Sequence, residues 1–151
     1  MAEEEAVVLL IEDNDDDVRL ITRALGRTAL PKRVEVARSG AEAVAYITAA
    51  PPYEDRGRYP LPVLIILDLK MPRVDGYDVL KMIRAHDDLY GVTVVILTDV
   101  KETGSVSRTY DLGASVYFVK PHAGRSFAGV ASEIESYWLA GREGGGEQGL
   151  R

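Results

Sequence analysis

The chain has no cysteine among its 151 residues, which excludes disulfides, thiolate metal sites and a cysteine nucleophile. Histidine is nearly as scarce, with only His86 and His122, so a bound metal would be held by oxygen. Both histidines fall near helix ends, where solvated or capping roles are the default. No apolar run approaches the ~18 residues of a membrane-spanning helix. Positive charge is in deficit: 18 Lys and Arg against 24 Asp and Glu leave a net charge of −6, which argues against a broad surface for nucleic acid or anionic lipid. The start, MAEEEA, lacks the basic region and cleavage site of a secretory signal, so a cytoplasmic location is expected.

What is present is a chain of 46% hydrophobic and 28% charged residues, long enough for one domain with a substantial core. Apolar, β-branched runs at Ala6 to Ile11, Val63 to Leu67 and Val92 to Leu97 read as strands buried on both faces. Arg33 to Ala37 and Ser115 to Val119 are more polar and read as edge strands. Helical spacing marks Val18, Ile21 and Leu25; Ala41, Val44 and Ile47; Val79, Leu80 and Ile83; and Phe127, Val130, Ile134 and Trp138. A poorer helix is expected over Glu102 to Leu112, where Gly104 and several Ser and Thr lower the propensity. Five strands alternating with five helices predict a doubly wound α/β domain with a five-stranded parallel sheet in the order 2-1-3-4-5, the flavodoxin-like arrangement. Its site would lie at the carboxyl ends of the strands. The proline-rich loop Ala50 to Pro62 reads as a solvated insertion, and a partner surface is the alternative. The domain is expected over residues 1–140, with a flexible glycine-rich tail over 141–151.

In that fold strand one ends at Glu12 and Asp13, strand three at Asp68, strand four at Thr98 and strand five at Lys120. Carboxylates without thiolate or imidazole suit a hard divalent cation, and Mg²⁺ takes one or two carboxylates together with waters and phosphate oxygens. A calcium loop counted from Asp13 fails, because Val18 stands where glycine is needed and Ala24 where the bidentate Glu belongs. Asp15, Asp16 and Asp17 are read as capping and solvated charge at the start of a helix. Taken singly, Asp68 is a turn aspartate, Thr98 a strand residue and Lys120 a surface lysine. Taken together they suit aspartyl phosphorylation: Asp68 as nucleophile, Lys120 and a cation neutralising phosphoryl oxygens, Thr98 donating a hydrogen bond.

The segments LLIEDN at 9–14, LIILDLKMPRVDGYDVL at 64–80, VVILT at 94–98 and LGASVYFVKP at 112–121 resemble the receiver domain of bacterial response regulators. The resemblance implies that Asp68 accepts phosphate from a phosphohistidine of a sensor histidine kinase. It implies Mg²⁺ ligation by Asp13, Asp68 and the Lys70 carbonyl, with Glu12 acting through water. Thr98 and Tyr117 would be the coupled switch pair, reshaping the face of helix four, strand five and helix five. A cis peptide before Pro121 would aim Lys120 inward. The long loop, the LDLKMP turn and the end Ile134 to Leu139 further resemble small stand-alone receivers that partner phytochrome-type kinases. That likeness implies a homodimer through the same face with Tyr137 and Trp138 as anchors; packing of the last helix on its own sheet is the alternative.

Two residues depart from the family pattern and are expected to modulate the site. Asp99 adds a negative charge after Thr98, which would slow phosphotransfer or alter Mg²⁺ affinity. Lys70 either leans over the phosphoryl group and hinders attacking water or points into solvent. A receiver-like interaction module that works without phosphate is the alternative function. A haloacid-dehalogenase-type hydrolase would want an aspartate where Lys70 stands.

Overall fold

The computed structural model describes residues 6–71, 76–99, 106–121 and 126–143, with residues 142 and 143 described by backbone alone. Strands β1 (Val7–Ile11), β2 (Arg33–Ala37), β3 (Leu64–Leu67), β4 (Thr93–Thr98) and β5 (Val116–Val119) alternate with helices α1 (Asp15–Gly26), α2 (Gly40–Thr48), α3 (Gly76–Ala85), α4 (Val106–Asp111) and α5 (Ala128–Glu143). All strand pairs are parallel and the order is β2-β1-β3-β4-β5, the flavodoxin-like arrangement.

The two-residue alternation of strand side chains sorts the core into two layers. Val7, Leu9, Ile11, Ile65, Leu67, Val94 and Ile96 face α2 and α3, packing with Ala43, Ile47, Leu80 and Ile83. Val8, Leu10, Leu64, Ile66, Val95 and Leu97 face α1 and α5, packing with Ile21, Leu25, Ile134 and Trp138. β1, β3 and β4 are thus buried on both faces, whereas β2 and β5 are half-buried edges.

Four expectations are corrected. The loop after α2 is solvated only in part: Pro51, Pro52, Glu54, Asp55, Gly57 and Arg58 are exposed, while Tyr53, Arg56 and Tyr59 are half-buried. Tyr46, Tyr53 and Tyr59 cluster there, tilted or edge-to-face, with ring centroids 5.1–6.1 Å apart, and the Tyr46 hydroxyl donates to the Pro60 carbonyl at 2.8 Å. Arg56 donates to the carbonyls of Tyr46, Ile47 and Tyr59, tying the loop to the carboxyl end of α2. The cis peptide described is Pro51–Pro52; the bond before Pro121 is not cis. Trp138 is buried in the chain's own core, so of the two proposed dimer anchors Tyr137 alone is exposed. Its hydroxyl donates to the carbonyl of Ser115, beside the β5 edge. Finally, α5 continues to Glu143, so the first three residues of the expected tail are helical; residues 144–151 lie outside the described residues. Helix four is described from Val106 onward, and Glu102 to Ser105 lie outside the described residues, as does His122.

Candidate functional site

The sheet ladder runs one residue past the strands and thereby sets the site. The N–H of Glu12 donates to the Ala37 carbonyl at 2.9 Å, that of Asp68 to Ile11 at 3.0 Å and that of Lys120 to Thr98 at 2.6 Å. Glu12, Asp68 and Lys120 are therefore held in register at one edge, each leaving a strand whose preceding residues are mostly apolar. The turn after Asp68 is tight: Lys70 N–H donates to Asp68 Oδ1 at 3.0 Å, and α3 begins so close that a Cβ on Gly76 would stand 2.5 Å from the Leu69 Cα. Glycine is needed there for that approach.

Among the described residues the buried polar side chains are Glu12 (1% exposed), Asp68 (5%), Thr98 (0%) and Thr109. Thr109 is satisfied within α4 by the Val106 carbonyl; the other three meet at the strand ends. Thr98 Oγ1 donates to Asp68 Oδ1 at 2.9 Å. Lys120 Nζ lies 3.1 Å from Asp68 Oδ2, 2.8 Å from Glu12 Oε1 and 2.8 Å from Asp17 Oδ2. Glu12, exposed Asp13 and Asp68 each offer a carboxylate oxygen, all within 4.8 Å of one another. Lys70 is exposed at its side chain, Asp99 is half-buried directly after Thr98, and half-buried Tyr117 packs against the α2–α3 layer. The Tyr117 N–H donates to the Tyr110 hydroxyl at 3.1 Å, joining α4 to the outer edge of β5.

Charge is unbalanced here. Burial first, and the neighbouring Asp68 charge second, push the Glu12 carboxyl up to about 7 despite its bond to Lys120. Burial pulls the Lys120 ammonium down, but hydrogen bonds to Asp17 and Glu12 and the Asp68 charge outweigh it and hold the group above its ordinary range. Lys120 is thus a fixed cation, and Glu12 is the carboxylate least able to bear its charge. A hard cation beside Glu12, Asp13 and Asp68 would relieve the surplus, and the donor set, all oxygen, fits one.

Asp17 is the residue the sequence reading missed. Asn14 caps α1 by accepting from Asp17 N–H at 2.9 Å; Asp15 pairs with Arg38, and Asp16 with Arg19 at 2.9 Å. These fit the expectation of capping and surface charge, but Asp17 turns inward to Lys120. Its signal was spacing: it lies one turn beyond Asp13 and Asn14, on the flank of α1 nearest the strand ends. His86 caps the short 3-10 turn Asp87–Leu89 through Asp88 N–H at 3.2 Å.

A parallel sheet of this order with an aspartate, a threonine and a lysine joined at its carboxyl edge defines a receiver fold, and comparison with known proteins agrees. Residues 8–128 match the family model of the response regulator receiver domain, and the chain belongs to that family. It is 35% identical over 138 residues to a probable methanogenesis regulatory protein, FilR2, of Methanothrix harundinacea, covering 91% of this chain and 86% of that one. It is 33% identical to response regulator Rcp1 of Synechocystis, covering 88% of each; the Mn²⁺-bound structure of Rcp1 superposes with a TM-score of 0.78 over 89% of this chain and 94% of that one. The phosphorylated cyanobacterial phytochrome response regulator RcpA gives a TM-score of 0.80 at 32% identity, covering 89% of this chain and 94% of that one. The chain is therefore a two-component receiver domain similar to phytochrome response regulators. No helix among the described residues is long and apolar enough to cross a membrane.

Proposed function

We propose that this chain is a phosphorylation-dependent switch whose Asp68 accepts a phosphoryl group from a phosphohistidine of a sensor histidine kinase, of the phytochrome type. The observation that carries the reading is the three-point hold on Asp68: Thr98 Oγ1 and Lys70 N–H on one oxygen and Lys120 Nζ on the other. An Asp68 oxygen forms a bond to phosphorus as the phosphorus–nitrogen bond of the donor breaks, and the bonding pair stays on the imidazole. Thr98 and Lys120 are placed to donate to the phosphoryl oxygens as charge shifts onto them. Asp13, Asp68 and the Lys70 carbonyl would hold Mg²⁺, with Glu12 reaching it through water; bound there, the ion supplies positive charge to the phosphoryl oxygens. The readout runs through Thr98 and Tyr117 to the α4, β5, α5 face, where exposed Tyr110, Val119 and Tyr137 would meet a partner or a second copy. Likeness to the phytochrome response regulator RcpA is what supports the phytochrome link.

The test is intact mass after incubation with Mg²⁺ and acetyl phosphate. One Mg²⁺-dependent adduct of ~80 Da is expected, absent from Asp68→Asn. A folded wild type that stays unmodified by acetyl phosphate and by phosphorylated phytochrome-type kinases contradicts the reading and favours the phosphate-independent module, with Asp99→Ala the first reversion to make. Lys70, whose side chain is exposed, is proposed to shield the adduct from water. Lys70→Ala then shortens the phosphoryl lifetime, and an unchanged lifetime removes that role.

A further inference from the structure

The metal-facing carboxylates and the lysine-facing carboxylates are not the same set. Glu12, Asp13 and Asp68 form the trio within 4.8 Å, whereas Lys120 pairs with Glu12, Asp68 and Asp17. An ammonium has three donors, and all three are in use. A cation at the trio draws charge from Glu12 and Asp68, the two partners that Lys120 shares with it. Asp17 is the partner it does not share.

We infer that Asp17 is a positioning residue: it tethers the Lys120 ammonium over Asp68 while the other two carboxylates are engaged elsewhere, leaving Lys120 free to donate to a phosphoryl oxygen. Three observations give Asp17 the stiffness this requires. Its backbone N–H is fixed by the Asn14 cap at 2.9 Å. Its helix is anchored by the buried residues Val18, Ile21 and Leu25. Its 2.8 Å contact to Lys120 joins the first turn of α1 to the end of β5, across 103 residues of sequence, in a place where Lys120 is 14% and Asp17 25% exposed. Without the tether Lys120 hangs from β5 on a flexible four-carbon stem.

The tether makes a prediction opposite in sign to simple charge. Removing a carboxylate near an incoming phosphoryl anion relieves repulsion and would speed transfer; releasing a misaligned ammonium slows it. The role in transfer rests on the proposed phosphoacceptor function, and two readouts keep the two claims separate. In the first, the Lys120 ammonium is followed by ¹H–¹⁵N NMR at saturating Mg²⁺. A signal protected from exchange is expected in the wild type and in Asp17→Glu, and its loss in Asp17→Ala, which removes the acceptor. In the second, phosphorylation of the full chain by acetyl phosphate is timed in a double-mutant cycle. Asp17→Ala alone is expected to slow it on the order of tenfold, and to have no slowing effect in a Lys120→Gln background. An unchanged ammonium signal in Asp17→Ala, or faster transfer, overturns the tether. An Asp17-dependent signal in a wild type that takes no phosphate supports the tether and overturns the phosphoacceptor reading instead.

Discussion

Lys120 and Arg56 are both half-buried cations with three acceptors, and they sit in opposite kinds of place. Arg56 donates to the backbone carbonyls of Tyr46, Ile47 and Tyr59 beside a cluster of three tyrosines. Its acceptors are neutral carbonyls, two of them, Tyr46 and Ile47, at the negative end of α2. Lys120 instead faces Glu12, Asp17 and Asp68, with Asp13 close behind, so one positive charge is set against four carboxylates. The Arg56 site is satisfied by the fold itself. The Lys120 site sets that one cation among four carboxylates, and Glu12, raised to about 7 by burial first and by the Asp68 charge second, is where a cation from outside would be felt. That difference separates a cation that closes a structure from one that keeps a site ready.

The comparison breaks most sharply on phosphoryl transfer. Lys120→Gln is expected to slow adduct formation on the order of a hundredfold, the scale of losing one donor to a developing oxyanion, while Arg56→Gln leaves the rate unchanged in the same time course. Equal rates for wild type and Lys120→Gln would put the two cations back in one class.

Next in size is the pH dependence of stability in EDTA. Glu12 is raised in the folded state from 4.5 to about 7, so the folded state holds the proton more tightly. That contribution is fully present below pH 4.5 and is lost as pH rises through about 7, a change of a few kcal/mol. Urea titrations of the metal-free protein should show this fall. Because the Asp68 charge is the second cause of the shift, Asp68→Asn should flatten it and raise stability at pH 8. Mg²⁺ affinity of the wild type should rise with pH over the same window.

Smaller effects fall on the structural side. Arg56→Gln should destabilise by about 1–3 kcal/mol, since it leaves buried carbonyls short of donors; a change in thermal midpoint without one in adduct yield sharpens the contrast. Ala49, the left-handed cap of α2 at φ 59°, strains a residue with a Cβ, so Ala49→Gly should stabilise by up to ~1 kcal/mol in urea titrations.

Particular residues show why the site was easier to read than its surroundings. Asp68, Thr98 and Lys120 each end an apolar run, and in a parallel sheet the strand ends converge, so period and order sufficed to bring them together. The edge roles of β2 and β5 followed from their mixed polarity. Asp17 stayed hidden because a first-turn aspartate already has a reason to exist, and only tertiary packing reveals that it turns toward β5. The loop after α2 was misjudged because Pro, Arg and Tyr score as loop residues one at a time. Their packing depends on edge-to-face and tilted contacts with Tyr46, a helix residue outside the loop, and on Arg56 bonds to backbone carbonyls. Trp138 shows the same limit: a helical face near the end of a chain does not say whether it meets its own sheet or a partner.

The proposed phosphoryl site can be located chemically. After acetyl phosphate and Mg²⁺, borohydride reduction converts an aspartyl phosphate to homoserine, which peptide mass mapping places on the chain. Homoserine is expected at position 68, and none when Mg²⁺ is withheld. Homoserine at another aspartate, with Asp68 intact, would contradict the Asp68 assignment.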